Sequence, residues 1–236
     1  MIVIFLFAAI IAPAVFWISY FYYKDRLRPE PVTRLIETYL LGVLAGFLCW
    51  AFYEIQPSFG IPANFMTVLA QGSRLDFVLY SIGGVGLVEE AFKMLPFLVL
   101  VRRFKAFNEK IDGIIYASIL AVGFASFENV GFLPTMKGWA LVGRAFASPL
   151  THTVFASLLG YLIGKAVIRK QPLLPAALRG LFLASLVHGL YNVLTFNPVL
   201  RVLSALLILA VWIWQIRTLE MEAKKEKEAA APMPPA

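Results

Sequence analysis

The sequence is poor in charge, in histidine and in cysteine, and each shortage removes a class of explanation. Charged side chains make up 15% of the 236 residues, where a soluble domain carries about a quarter. Hydrophobic residues reach 60%. So apolar a chain reads as a polytopic membrane protein rather than a water-soluble domain. The single cysteine, Cys49, excludes an intrachain disulfide. It lies in an apolar run and reads as a small core or lipid-facing residue, not as a reactive thiol, which needs an electropositive and partly exposed site. There is no Walker A loop, no CxxC pair and no dinucleotide fingerprint. The net charge of +7 does not call for a nucleic acid partner, because the basic residues sit between apolar runs, where they set orientation in a bilayer.

What the sequence does have is long apolar stretches, each near the roughly 20 residues that cross a bilayer. They fall at 2–22, 35–53, 77–101, 113–133, 145–168, 179–196 and 199–217. The expected fold is all-α, a transmembrane helical bundle of about seven spans, with eight as the alternative count. Residues 1–217 form one integral-membrane domain. Residues 218–236 form a charged, then Ala/Pro-rich cytoplasmic tail, a short helical extension that gives way to disorder. The first span lacks a basic leader, and "YKDRLRPEP" behind it is no cleavage site, so it reads as a helix and not as a signal peptide. Sixteen of the 21 Lys and Arg gather on one side of this arrangement, in the stretches 24–34, 102–110, 165–179 and 217–227. The positive-inside rule then puts the N-terminus outside and the C-terminus in the cytoplasm. Segment 54–76 becomes a long external loop, apolar enough to lie along the membrane or re-enter it.

The few polar residues inside the spans carry the chemistry. The stretch "SIGGVGLVEEAFKMLPFLVLV" holds Glu89, Glu90 and Lys93 near the middle of the third span. A charge at that depth costs about 2.5–3.5 kcal/mol. Lys93 follows Glu89 by four residues, so the two share a helix face and an ion pair is the plain structural reading. Glu90 points about 100° away and is left unexplained by it. Gly83, Gly84 and Gly86 permit close helix packing or the entry of water or a bound chain, and Pro96 marks an expected kink. "GFASFENVGF" places Glu128 and Asn129 toward the outer end of the fourth span. Both histidines of the chain, His152 and His188, lie within apolar segments, and Asn192 shares a face with His188. Such histidines are most often hydrogen-bonded core residues. Two of them beside three intramembrane glutamates favour a site instead. Glutamate can take a proton from water, and histidine can polarise a carbonyl or shuttle the proton. Two histidines and a carboxylate, His152, His188 and Glu89, also match a catalytic zinc site with an open position for water. The spacing is not HExxH, so a zinc site and a metal-free glutamate site both stay open.

"EEAFK" (89–93), "FENVGF" (127–132), "HTVFASLLGY" (152–161) and "HGLYN" (188–192) resemble, in order, the four motifs of the PrsW family of intramembrane proteases. "YKDRLRPEP" resembles that family's first loop. The likeness spans nearly all of residues 10–196, and the wider clan includes type II CAAX prenyl endopeptidases and bacterial CPBP proteins. It implies a membrane-embedded endopeptidase, of metallo or glutamic type, in a prokaryotic plasma membrane. The implied substrate is a single-pass, membrane-anchored protein of the anti-sigma-factor kind, cut near its external boundary. Glu89 and Glu90 match the essential carboxylate pair, and His188 the essential late histidine. Glu128 and His152 match the second and third motifs, with Lys93, Asn129 and Asn192 in support. Phe132 departs from the pattern, where an aromatic hydroxyl is expected. Two other readings remain. A non-catalytic scaffold like that of γ-secretase would lack the glutamate pair. A proton-coupled transporter would show inverted repeats, and none is evident.

Overall fold

A computed structural model describes residues 2–26, 28–62 and 64–230. Among them there is no strand. The helices are α1 (Ile2–Lys24), α2 (Val32–Ile55), α3 (Phe65–Gln71), α4 (Arg74–Leu79), α5 (Val88–Arg103), α6 (Lys110–Phe132), α7 (Gly138–Ile168), α8 (Leu173–Phe196) and α9 (Arg201–Ala230). Their boundaries follow local chemistry. Pro31 and Pro172 stand directly before α2 and α8. Ser73 and Asp76 form a capping box on α4, and Glu109 and Asp112 form one on α6. These reciprocal bonds satisfy amides that a helix start otherwise leaves unpaired.

Among the described residues, six helices are long and apolar enough to cross a membrane. The seventh expected span is different in kind. α4, a π-helical stretch Tyr80–Leu87 and α5 run on without a break from 74 to 103. Its charged residues keep this composite helix out of the apolar class. The irregularity lies upstream of the glutamates, in the glycine-bearing π turn, and α5 stays helical through Pro96, where a kink was expected. Segment 54–76 is not a featureless loop: it holds the end of α2, a 3-10 turn at Gln56–Phe59, α3 and the start of α4. At the other end, α9 continues past residue 217, the expected edge of the tail, to Ala230. Glu222 there is buried and accepts from Lys110 Nζ at 2.8 Å. Residues 231–236 lie outside the described residues.

α6 is the axis of the bundle, buried along almost its whole length, and it touches α1, α2, α5, α7 and α9. Leu40, Phe182 and Val202 on the outer helices are 57%, 70% and 70% exposed. That is an outer face suited to lipid, not water. Lipid gives the helices no hydrophobic reason to associate, so backbone approach and van der Waals contact must do it. α2 and α6 meet where a Cβ on Gly42 would lie 2.0 Å from the Leu120 carbonyl oxygen, and one on Gly123 would lie 2.1 Å from that of Tyr39. Of the three glycines before the glutamates, Gly86 presses on α8, where a Cβ would lie 2.6 Å from the Ser185 oxygen. Gly83 faces nothing within 4 Å. The glycines at 83 and 86 therefore differ in role.

A substitution pair separates these roles. Gly123→Leu should force α2 off α6 and lower Tm in detergent by about 2–10 °C, from about 1–3 kcal/mol of overpacking. Gly83→Ala should leave Tm unchanged or slightly raised, since alanine is the better helix former. Thermal unfolding of both purified variants checks this.

Candidate active site

Four helices contribute to one buried polar centre. α5 brings Glu89, Glu90 and Lys93; α6 brings Glu128; α7 brings His152; α8 brings His188 and Asn192. Lys93 is 1% exposed and Glu90 0%. Lys93 Nζ donates to Glu90 Oε1 at 2.7 Å and lies 2.8 Å from His152 Nδ1. Glu89, the partner expected from the i, i+4 spacing, is 4.0 Å away. The closer ion pair is thus i, i+3, and it accounts for Glu90 where the sequence reading did not.

Both histidines are oriented by a carboxylate. His152 Nε2 is 2.9 Å from Glu128 Oε2, and His188 Nδ1 is 2.9 Å from Glu90 Oε1. An ionised carboxylate only accepts, so each of these ring nitrogens carries the proton. Lys93 has no acceptor, so His152 Nδ1 accepts from it. His188 Nε2 is left with a lone pair facing Glu89 Oε2 at 3.9 Å. His152 Nδ1 is 4.0 Å from the same oxygen. Phe155 stacks on the His188 ring at 4.5 Å and 19°, which fixes its plane.

Glu89 Oε2 itself is buried and has no hydrogen-bond partner. It stands where two cavities meet. One, of about 260 Å³, is lined by Glu128, Ser148, His152, His188 and Asn192. The other, of about 630 Å³, is mostly apolar and has Phe47, Trp50, Val130 and Phe132 on its rim between α2 and α6. Glu89 and Glu128 line both; Glu90 lines neither. Cys49 lies in the wall of the apolar cavity, 1% exposed.

Two expected supports sit differently. Asn192 lines the polar cavity with Nδ2 unpartnered, while His188 Nδ1 donates to Glu90 instead. Asn129 is buried with Oδ1 unpartnered and makes no hydrogen bond to the site residues. Three contributors escaped the sequence reading. Tyr53 Oη, near the end of α2, donates to Glu89 Oε1 at 3.2 Å. Arg144 Nη2 pairs with Glu128 Oε1 at 3.2 Å and stacks 3.9 Å from the Phe132 ring, the position that lacks a hydroxyl. Ser148 Oγ is 3.4 Å from Glu128 Oε2. The signal for Arg144 is an arginine eight residues before His152 on one helix.

The donor set suits a metal in most respects. Two histidines each give their second nitrogen to a carboxylate, which is how ligating histidines are held, and Glu89 Oε2 is an unpaired carboxylate oxygen between them. Lys93 now holds His152 Nδ1, so that ligand would be freed only by moving the ammonium. Among the described residues, the group of three whose ligand atoms already lie mutually within 4.8 Å is a different one, Asp25, Glu109 and Asp112.

The sequence model described as "PrsW family intramembrane metalloprotease" matches residues 30–216. "Protease PrsW" of Oceanobacillus iheyensis is 30% identical over 206 residues, covering 86% of this chain and 89% of that protein. "Protease PrsW" of Halalkalibacterium halodurans is 29% identical, covering 79% and 81%. The Bacillus subtilis protein of the same name is 28% identical, covering 77% and 78%. No solved structure matches the chain. A helical bundle with a buried glutamate–histidine centre, matched along most of its length, this chain belongs to the PrsW family of intramembrane metalloproteases.

Proposed function

We propose that the protein cleaves a single-pass, membrane-anchored protein of the anti-sigma-factor kind near its external boundary, with Glu89 as the base toward water. The observation that carries this is Glu89 Oε2. It is buried, without a hydrogen-bond partner, within 4.0 Å of a nitrogen of each histidine, and at the meeting point of the polar and apolar cavities. The polar cavity suits water; the apolar one suits a substrate chain arriving from lipid between α2 and α6.

Each residue then has a part. Glu89 takes a proton from water, and the hydroxide attacks the substrate carbonyl. Tyr53 holds the other Glu89 oxygen in place. The same carboxyl returns the proton to the leaving amine, as a base turned acid. Asn192 Nδ2, an unpartnered donor on the cavity wall, suits the oxyanion. Glu90 and Glu128 keep His188 and His152 in the tautomers described above. His188 Nε2, Glu89 and, once Lys93 moves, His152 Nδ1 would hold a zinc ion, which when bound lowers the pKa of water and polarises the carbonyl. The N-terminus is taken as external, from the basic residues at the opposite loops. His188 lies eight residues from the end of α8, about 12 Å along the helix.

Four outcomes are expected. Glu89→Gln should lower cleavage of a reconstituted substrate by about 10²–10⁴-fold with Tm nearly unchanged. Glu90→Gln should lower Tm as well, because it strips the nearest carboxylate from a buried ammonium, a loss of about 3–5 kcal/mol. Equal cleavage by wild type and Glu89→Gln would remove Glu89 as the base. Elemental analysis of purified protein should find one zinc per chain, lost in His188→Ala; zinc-free protein with full activity would leave glutamate chemistry alone. Mass spectrometry of the product termini should place the cut within about 11 Å, two helical turns, of the external boundary. A cut on the cytoplasmic side would overturn the orientation.

A further inference from the structure

At the far end of α6 from the active site lies a second buried polar group. Asp112 and Glu128 are 16 residues apart on one straight element, about 24 Å. Here the turn between α1 and α2 folds against the start of α6. Asp25, Glu30, Glu109 and Asp112 are 2%, 5%, 4% and 1% exposed. Four carboxylates so deeply buried need compensation. The cation beside them is Arg28, whose guanidinium reaches Glu109 Oε1 at 2.8 Å and is itself 58% exposed. Other donors are spoken for. The Glu30 amide donates to Asp25 Oδ2 at 2.9 Å, and the amides of Asn108 and Glu109 both donate to Asp112 Oδ2 at 2.7 Å. Tyr116 Oη donates to Glu30 Oε2.

Not every carboxylate oxygen has such a partner. Asp25 Oδ1 is buried with no hydrogen bond, on a side chain that helps to bring three carboxylates within 4.8 Å of one another. Something positive must stand between these groups, either protons or a metal ion.

The geometry points to a structural site for a hard divalent cation of the magnesium, manganese or calcium class, held by Asp25, Glu109 and Asp112 with Glu30 beside them, that clamps the α1–α2 turn onto α6. All the donors are carboxylate oxygens, the set that such ions take and that zinc does not favour. This site is independent of the proteolytic centre and of its metal.

The test uses the full chain in detergent, stripped with chelator and then given magnesium, manganese or calcium chloride separately. At a hundredfold excess over its dissociation constant, one of the three should raise Tm by about 5–10 °C. Equilibrium dialysis with elemental analysis should count one such ion per chain. Asp25→Asn and Asp112→Asn should lose both the shift and the ion; asparagine can keep the amide contacts that cap α6. Glu89→Gln should keep both. If none of the three ions binds or shifts Tm in the wild type, the cluster is held by protons and the proposal fails. A shift that survives both asparagine variants, or disappears in Glu89→Gln, would put the ion elsewhere and overturn it equally.

Discussion

The Lys93 ammonium is the contact on which the centre of the bundle depends. It is 1% exposed, bonded to Glu90 on its own helix and to His152 on α7, and it lies 4.4 Å from the centre of the Phe124 ring on α6. One charge thus ties three helices at a depth where water cannot screen it. A buried ion pair is seldom a large net gain in stability, because desolvation offsets the attraction. Its effect is on arrangement. By taking Glu90 and His152, Lys93 leaves Glu89 without a strong partner, though the two glutamates are adjacent in sequence.

That division of labour rests on helix geometry. Neighbouring residues on a helix point about 100° apart. Glu90 turns into the packed interior toward α8, while Glu89 turns toward the cavities and Tyr53. The π-helical turn ahead of them sets the phase of this choice. A π segment shifts every later side chain around the axis relative to an α-helix, and such segments recur at functional sites. Gly86 lets the widened turn lie directly on α8, which carries His188. The same few residues therefore bring Glu89 and His188 to 3.9 Å.

Much of this was legible before any coordinates. Apolar run lengths gave every long helix, and the six polar intramembrane residues Glu89, Glu90, Lys93, Glu128, His152 and His188 do converge on one centre. Residue depth carried that much, because a costly charge in hydrocarbon needs a reason wherever it occurs. What sequence spacing could not decide was pairing. Lys93 sits at i+4 from Glu89 and i+3 from Glu90, and both spacings allow contact; the π turn and α7 chose between them. Tyr53 and Arg144 were hidden for another reason. Each lies near a helix end, where a tyrosine or arginine is ordinary at a membrane interface. Asp25 and Glu30 were read only as parts of a polar loop, since burial of a loop against a distant helix has no local signature.

The bundle as a whole is arranged inside out relative to a soluble protein. Its exposed outer faces carry leucine, phenylalanine and valine, and its buried charged groups lie in the middle or at the foot of α6. In lipid the apolar faces are as well solvated outside the bundle as in it, so they cannot dictate which helix neighbours which. Two other features must do so. Glycine contacts, as between α2 and α6, let backbones approach so closely that a single methyl would collide, which restricts the register of the pair. Polar networks at both ends of α6 then make the register specific, because a shift by one residue would leave a buried carboxylate or histidine unpaired at a cost of several kcal/mol. α6 meets both requirements along one length: Gly113 against α7, Gly123 against α2, Asp112 at one end and Glu128 at the other. The polar centre that brings Glu128, His152 and Glu89 within a few ångströms is held in place by the same helix that anchors the opposite end of the fold.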